Sequence, residues 1–245
     1  MPAPSTDTPA TPQSLAGRVV VVTGATGALG DAVVRACHAR GARVAALGRS
    51  AVDATPERAF ALGGIDLGDQ TKVKRAMAQV ADALGGLDAL VNVAGGFAMT
   101  TLVDGGAEPW DQMYATNLQS AVHACSAALP ALKASGRGRI VNIAAAAAAG
   151  RAGAGMGAYA ASKAGVIKLT EALAAELRAD GVNVNALLPT ILDTPANRKA
   201  MPDADPGDWV TADALARVVC FLLSDDGAAV SGAAIHCPGG GGRRG

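Results

Sequence analysis

The sequence predicts an α/β protein: a single Rossmann-type domain whose doubly wound parallel sheet is flanked by helices on both faces. Short β-branched runs such as residues 18–23 (RVVVVT) are continuously apolar, as expected of strands buried on both faces. These runs alternate with longer helical stretches along the chain. A length of 245 residues suits one well-buried domain and is too short for two.

The elements follow in order from Gly17. The predicted strands are short apolar runs at residues 18–23, 43–47, 87–93, 139–143, 182–188 and 233–236. The predicted helices lie between them, at residues 28–40, 71–84, 109–133, 159–180 and 211–223. Gly41 and Gly181 stand where a helix often ends in a left-handed residue, and Pro109 stands in a first turn, where proline is tolerated.

We expect the domain to span residues 15–240. Residues 1–14 are rich in Pro, Ser and Thr, lack a secretory signal pattern, and are expected to form a disordered tail. The chain from Gly239 onward is glycine-rich, and residues 241–245 are assigned as a flexible tail.

Composition excludes several classes of function. Lys+Arg and Asp+Glu number 21 each, so no net field attracts nucleic acid or an anionic membrane. The four cysteines are widely spaced and the three histidines lack ligand spacing, so we expect reduced thiols and no metal site. No run is long enough to span a bilayer, and a cytoplasmic location is expected.

The turn after the first strand has the sequence TGATGALG, with Gly24, Gly27 and Gly30 at intervals of three. Glycines between a strand and a helix allow a tight turn and the close approach of a pyrophosphate to the helix N-terminus. The turn therefore predicts dinucleotide binding.

The end of the second strand indicates which dinucleotide is preferred. An acidic side chain usually holds the ribose 2′-hydroxyl of NAD at this place, whereas here Gly48 is followed by Arg49. A guanidinium suits a 2′-phosphate, so we favour NADP(H) over NAD(H), although Arg49 could be an ordinary surface residue. Asp66, after an apolar strand, could reach the adenine or could be a turn or cap residue.

Tyr159 and Lys163 stand one helical turn apart on the same helix face. A phenol with an ordinary pKa of about 10 is a poor acid near neutral pH. A neighbouring ammonium favours the phenolate and lowers that pKa. The pair therefore predicts general acid/base chemistry.

Over residues 17–240 the chain resembles the short-chain dehydrogenase/reductase family. The resemblance rests on the glycine-rich turn, Asn92-Val93-Ala94-Gly95, Asn117, Tyr159-x-x-x-Lys163 and Pro189-Thr190-Ile191-Leu192-Asp193-Thr194. It implies a nicotinamide cofactor, a small-molecule substrate, and a homodimer or homotetramer built on the long helices.

Site roles are carried over by the same resemblance. It implies that Tyr159 is the proton donor, that Lys163 lowers its pKa and holds the nicotinamide ribose, and that Asn117 keeps a water relay to Lys163. Thr194 would contact the nicotinamide carboxamide. The full set of expected cofactor-binding residues is Gly24, Thr26, Gly27, Ala28, Leu29, Gly30, Arg49, Asp66, Leu67, Asn92, Ala94, Gly95, Tyr159, Lys163, Pro189, Thr190, Ile191 and Thr194. Asn92 is expected to be structural rather than chemical.

The chain departs from the family pattern at one chemical position. The family's catalytic serine should lie near Ala145 or Ala146, and every residue from 144 to 149 is alanine. Loss of one preorganised donor to a developing oxyanion typically costs about 2.7–4 kcal/mol of transition-state stabilisation. The glycine spacing and Thr190, where the family usually has glycine, are further departures.

Three functional hypotheses remain. The C-terminal third (LLPTILDTPANRKAMPDAD and Trp209) and the loop 93–97 resemble dihydropteridine reductases, which also lack the serine, so the substrate would be a small conjugated C=O or C=N acceptor. Alternatively, the chain is a ketoacyl or carbonyl reductase in which Thr190 or a bound water replaces the serine. The third hypothesis is a cofactor-binding sensor or scaffold.

Residues 201–209 (MPDADPGDW) lie where the family has its variable substrate loop. The segment is acidic and interrupted by proline, so we expect a mobile loop over the nicotinamide end. A plain surface connection is the alternative.

Overall fold

The structure is a computed structural model that describes residues 14–239. Apart from Ser14, the two predicted tails lie outside the described residues. The strands are β1 (Val19–Thr23), β2 (Arg43–Leu47), β3 (Phe60–Leu62), β4 (Ala89–Asn92), β5 (Arg139–Ile143), β6 (Asn183–Pro189), β7 (Leu192–Asp193), β8 (Val210–Thr211) and β9 (Ala234–Cys237). The helices are α1 (Ala28–His38), α2 (Gln70–Leu84), α3 (Leu102–Gly105), α4 (Glu108–Met113), α5 (Ser120–Ala134), α6 (Gly157–Glu176), α7 (Pro195–Ala200) and α8 (Ala212–Leu223).

Seven parallel strands form one sheet in the order β3-β2-β1-β4-β5-β6-β9, which confirms the predicted fold class. Val20 and Val22 pack with α1 and α8, whereas Val19 and Val21 pack with α2 and α5 on the opposite face. Helices on both faces explain why the strand is apolar at every position.

The strand order places the functional end of the sheet. The chain runs outward from β1 to β3 and then crosses back to β4 beside β1, so the order reverses between β1 and β4. Ligands of open α/β sheets bind at the carboxyl ends of the strands, at such a reversal. The glycine-rich turn after β1 and the loop after β4 both lie there.

Two predicted helices are divided in the structure. The stretch predicted at 109–133 consists of α4, a π-helical segment (Tyr114–Gln119) and α5. The stretch predicted at 159–180 ends at Glu176, and a 3-10 turn (Arg178–Asp180) continues it to Gly181, whose φ is +70°. A π segment widens one turn of a helix and is frequent at functional sites. Apolar periodicity does not reveal it, because the helix continues on either side.

β3 is only three residues long and ends four residues before Asp66. The short β7 and β8 pair with each other outside the main sheet.

Cys37 of α1 and Cys220 of α8 are 183 positions apart, yet their Sγ atoms lie 3.8 Å apart in the core as free thiols. Within residues 14–239 no helix is long and apolar enough to cross a membrane.

Candidate active site

The glycine-rich turn joins β1 to α1 and packs against the loop after β4. Gly24 has φ +65°, and a Cβ there would lie 2.8 Å from the Cα and the backbone nitrogen of Ala94. A Cβ on Gly30 would lie 2.1 Å from the carbonyl oxygen of Gly24. Both contacts involve backbone atoms that cannot rotate away, so neither position can accept a side chain. The glycines therefore allow the tight turn that the sequence predicts, because side chains at Gly24 and Gly30 would collide with the backbone.

The first turn of α1 faces outward at this edge of the sheet. Thr26, Gly27 and Ala28 are exposed, and Leu29 is buried beneath them. No side chain caps the helix at Gly27. The N–H groups of a first helical turn have no partner within the helix, so an uncapped start favours an anion such as a pyrophosphate.

The end of β2 leaves little room for an acidic residue. A Cβ on Gly48 would lie 2.8 Å from Cγ2 of Val52 and 3.4 Å from Cγ2 of Thr26. Arg49 follows and is exposed. Gly48 and the exposed Arg49 thus follow β2 directly, at the point in the fold where NAD-preferring sites usually have a carboxylate.

Asp66 is a turn residue in the structure. Its Oδ1 accepts a hydrogen bond from the backbone N–H of Gly68 at 2.9 Å. The backbone carbonyl of Leu67 lies 2.9 Å from Nδ1 of His123 on α5. His123 of α5 therefore contacts the loop that carries Asp66 and Leu67. Sequence reasoning had no way to pair these two distant residues.

Asn92, at the end of β4, points into the core. Its Nδ2 donates to Oδ1 of Asn142 at 2.9 Å and contacts Sγ of Cys125 at 3.3 Å. Asn142 in turn donates to Oγ1 of Thr170 at 2.9 Å. This network joins β4, β5 and α6, which agrees with the structural role expected of Asn92.

Asn117, in the π-helical segment, holds the loop after β4. Its Oδ1 accepts from the N–H of Gly96 at 2.8 Å, and its Nδ2 donates to the carbonyl of Gly96 at 3.1 Å. Nδ2 also donates to Oγ of Ser162 at 3.0 Å, and that hydroxyl donates to the carbonyl of Tyr159 at 2.7 Å. Ser162 is a site residue that sequence reasoning missed.

Lys163 is buried beside Asn117. Its Nζ donates to the carbonyl of Ile143, at the end of β5, at 2.7 Å. A Cβ on Gly95 would lie 2.7 Å from Oδ1 of Asn117 and 3.1 Å from Nζ of Lys163, so Gly95 packs against both polar groups. Burial lowers the pKa of Lys163 to about 8. The predicted residues Gly95, Asn117 and Lys163 therefore meet at one point.

Tyr159 lies on the first turn of α6 and packs against Phe97. The two rings meet edge to face with centroids 5.0 Å apart and planes at 77°. Burial raises the pKa of the Tyr159 phenol. The cause of this shift is desolvation of the phenol, and the ammonium of Lys163 is bonded to the carbonyl of Ile143. Phe97 was seen only as part of a loop resemblance, and its contact with Tyr159 depends on the fold.

The alanine run begins directly after β5. Ala144 is buried, and its N–H donates to the carbonyl of Leu187 at 2.8 Å. Ala145 is also buried, and a 3-10 turn (Ala146–Ala148) follows. These methyl groups line the end of the strand whose last carbonyl holds Lys163, and they offer no hydroxyl.

The segment after β6 completes the edge of the site. Ile191 is exposed, and Oγ1 of Thr194 accepts from the N–H of Asn197 as the N-cap of α7. The hydroxyl of Thr190 donates to the carbonyl of Pro238 at 2.7 Å. That proton is therefore already used, which weighs against Thr190 as the replacement for the missing serine.

Comparison with known proteins agrees with this geometry. Residues 18–205 match the short chain dehydrogenase family model. The chain is 31% identical to the D-beta-hydroxybutyrate dehydrogenase of Rhizobium meliloti (strain 1021), over 91% of this chain and 98% of that protein. It is 34% identical to the D-threitol dehydrogenase of Mycolicibacterium smegmatis, over 92% and 93% of the two chains.

A solved structure extends the comparison. Carveol dehydrogenase from Mycobacterium avium in complex with NAD has a TM-score of 0.80 and 26% identity, over 93% of this chain and 99% of that one. The chain belongs to the short-chain dehydrogenase/reductase family and is an NAD(P)-dependent oxidoreductase.

Proposed function

We propose that this protein is an NADP(H)-dependent reductase that transfers a hydride to a small conjugated C=O or C=N acceptor, with Tyr159 as the proton donor. The observation that carries the proposal is the buried cluster at the end of β5: Nζ of Lys163 bonds the last carbonyl of that strand, Asn117 supports Ser162 on α6, and residues 144–149 that follow are all alanine. Tyr159, on the first turn of α6, would be the proton donor, and the alanines offer no hydroxyl to a developing oxyanion.

The acceptor class follows from the missing hydroxyl. A simple ketone concentrates negative charge on one oxygen as hydride arrives, and a lost donor there costs about 2.7–4 kcal/mol. A conjugated acceptor spreads the charge over a ring, so one donor matters less. The exposed ring of Phe97 beside Tyr159 offers an apolar, planar neighbour for such a substrate. A pterin-like molecule is the specific substrate that we propose.

The preference for a cofactor with a 2′-phosphate is inferred from the residues at the end of β2. A Cβ on Gly48 would already crowd Cγ2 of Val52 at 2.8 Å, and the exposed Arg49 can bond a 2′-phosphate with charge-assisted hydrogen bonds. NADP(H) is therefore favoured over NAD(H). The pyrophosphate would rest on the uncapped first turn of α1.

Each residue then has a defined task. A bound nicotinamide would supply the hydride. Tyr159 donates the proton that completes reduction. Asn117 holds the Gly96 peptide and Ser162, and so fixes the loop that carries Phe97. Lys163, whose Nζ bonds the carbonyl of Ile143, would return a proton to Tyr159 through a water relay.

Oxidation of NADPH and of NADH should be followed with quinonoid dihydropterin and with a panel of ketones, quinones and imines. We expect NADPH to be oxidised faster than NADH, and the conjugated acceptors to be reduced faster than saturated ketones. Failure with the pterin alone would remove that substrate but not the reductase class. No oxidation with any acceptor would instead favour a cofactor-binding sensor.

A second function is favoured by the relatives, whose names describe dehydrogenases of hydroxyl compounds. In this alternative the protein acts on a ketone–alcohol pair and a bound water replaces the serine. Faster turnover of ketones than of conjugated acceptors would support it.

We also propose that the protein is a homodimer or homotetramer built on its long helices. Trp110 and Tyr114 are exposed at a groove whose other wall is Ala158 and Ala161 of α6. Light scattering on the protein and on a Trp110→Lys variant tests this proposal: the variant should shift toward monomer.

A further inference from the structure

Residues 237–239, the last that the structure describes, contact the chain on both sides of the segment beside the proposed nicotinamide site. We define the lid segment as residues 194–209, which leave β7 and return to β8. β7 and β8 pair in parallel, and the N–H of Val210 donates to the carbonyl of Ile191 at 2.9 Å. The lid segment therefore starts and ends at one small two-stranded sheet.

Cys237 and Pro238 contact Thr190, four residues before the lid segment begins. β9 pairs with β6 as far as Pro189 and Cys237, and the contact continues beyond the sheet. The N–H of Thr190 donates to the carbonyl of Cys237 at 3.3 Å, and its hydroxyl donates to the carbonyl of Pro238 at 2.7 Å. Pro238 thus fixes the strip that leads into β7.

Gly239 reaches the other end of the lid segment. A Cβ on Gly239 would lie 2.7 Å from the carbonyl carbon of Trp209 and from the nitrogen of Val210, and 2.9 Å from the carbonyl oxygen of Asp208. All three are backbone atoms, so no side chain can rotate to make room. Gly239, the first residue of the glycine-rich end, therefore packs against β8.

The lid segment itself is fastened to β7 by polar contacts. Nε and Nη2 of Arg198 bond both carboxylate oxygens of Asp193 at 2.6 and 2.8 Å. Nδ2 of Asn197 donates to the carbonyl of Leu192 at 2.8 Å. A displacement of β7 and β8 would therefore carry α7 and Thr194 with it.

We infer that Pro238 and Gly239 form a clamp that positions the lid segment, and that Gly239 is a positioning residue for the site. The close backbone contact of Gly239 with residues 208–210 determines the position of β8. β8 pairs with β7, and the position of β7 determines that of Thr194 at the nicotinamide end. The catalytic consequence rests on the proposed function, whereas the position of the lid segment does not.

Gly239→Ala and Gly232→Ala are a matched pair. Both glycines have φ +78°, so alanine meets the same backbone strain at each. A Cβ on Gly232 meets only Cβ of Ala174 at 3.5 Å, an ordinary contact, whereas one on Gly239 collides with backbone. Because the backbone strain is the same in both variants, a difference in their cleavage rates or activity is due to the collision at position 239 and therefore to the clamp.

Limited trypsin digestion of the full-length protein measures the lid segment directly. Arg198 and Lys199 are exposed on α7, and cleavage there requires the helix to open. Because cleavage tracks the population of the open form, we expect Gly239→Ala to be cut there about tenfold faster than Gly232→Ala. Equal rates in the two variants would overturn the clamp.

Kinetics test the catalytic consequence separately. We expect kcat/KM of Gly239→Ala to fall about 10- to 100-fold, because a displacement of about 1 Å in a positioning element has effects of that size. Faster digestion in Gly239→Ala, with no reductase activity even in the parent protein, would retain the clamp and reject the proposed function. Unchanged kcat/KM alongside faster digestion would reject the positioning role.

A second pair covers the case in which Gly239→Ala does not fold. Thr190→Val removes the hydroxyl that donates to Pro238, and Thr190→Ser keeps it. Thr190→Val should be cleaved at Arg198 and Lys199 faster than Thr190→Ser. Indistinguishable cleavage rates in this pair would also count against the clamp.

Discussion

Asn117 bonds both the N–H and the carbonyl of Gly96, at 2.8 and 3.1 Å, although the two residues are 21 positions apart. This two-point contact fixes the loop that carries Phe97 beside Tyr159. The same amide also supports Ser162 on α6. One buried side chain thus joins the loop after β4 to the helix of the proposed proton donor.

Asn117→Ala should destabilise the fold by about 1–3 kcal/mol, because it leaves buried polar groups without partners. Activity should fall as well, since Phe97 and Tyr159 lose their common support. Asn183→Ala is the control: its Nδ2 makes one exposed bond to the carbonyl of Ala228. Urea unfolding of the two variants measures the difference, and an equal loss in both would contradict the proposed role of Asn117.

Tyr159→Phe should lower kcat of the reductase about 10²- to 10⁴-fold, which is the usual contribution of a positioned proton donor. The substituted ring should keep its position, because the ring contact with Phe97 needs no hydroxyl. Tyr114, the other tyrosine of the chain, is exposed and gives the matched variant Tyr114→Phe. Unchanged turnover in Tyr159→Phe would show that the proton comes from elsewhere.

Ala145→Ser should restore the missing hydroxyl and raise kcat for saturated ketones by about 10²-fold, with little effect on conjugated acceptors. Ala145 is buried directly after the strand that holds Lys163, whereas Ala149 is exposed. Ala149→Ser is therefore the control, and Ala146→Ser tests the neighbouring position. If Ala145→Ser, Ala146→Ser and Ala149→Ser behave alike, the absence of the hydroxyl does not limit ketone reduction.

Arg49→Asp should raise KM for NADPH about 10- to 100-fold and lower KM for NADH. The substitution removes a charge-assisted bond to phosphate, worth about 1.5–3 kcal/mol, and supplies an acceptor for a ribose hydroxyl. Steady-state kinetics with both cofactors measure the switch. An unchanged ratio of the two KM values would make Arg49 an ordinary surface residue.

Lys163→Met should change how stability depends on pH. Burial lowers the pKa of Lys163 to about 8 from an ordinary 10.5, so between these values the unfolded chain binds more protons than the folded one. The free energy of unfolding contributed by Lys163 therefore rises with pH across this window. Denaturation at pH 7, 9 and 10.5 should show the wild type gaining stability relative to Lys163→Met. If the difference in the free energy of unfolding between the two proteins stayed constant with pH, it would contradict the lowered pKa of Lys163.

Much of the fold was predictable from local pattern. The strands at 43–47 and 139–143 were predicted with the observed ends, because each is a short, largely apolar run that begins within two residues of a glycine. Helix ends were less accurate, and the π-helical segment Tyr114–Gln119 was not foreseen. The segment carries Asn117, whose side chain bonds the Gly96 loop elsewhere in the chain.

The sequence by itself determined the α/β class, the glycine-rich turn, the Tyr159–Lys163 spacing and the alanine run, since each depends on residues close together in the chain. Only the tertiary structure decided that Phe97 meets Tyr159, that Leu67 is tied to His123, and that Gly239 packs against Trp209 and Val210. Contacts between distant positions arise from packing of the whole sheet and its helices, and no local periodicity encodes them.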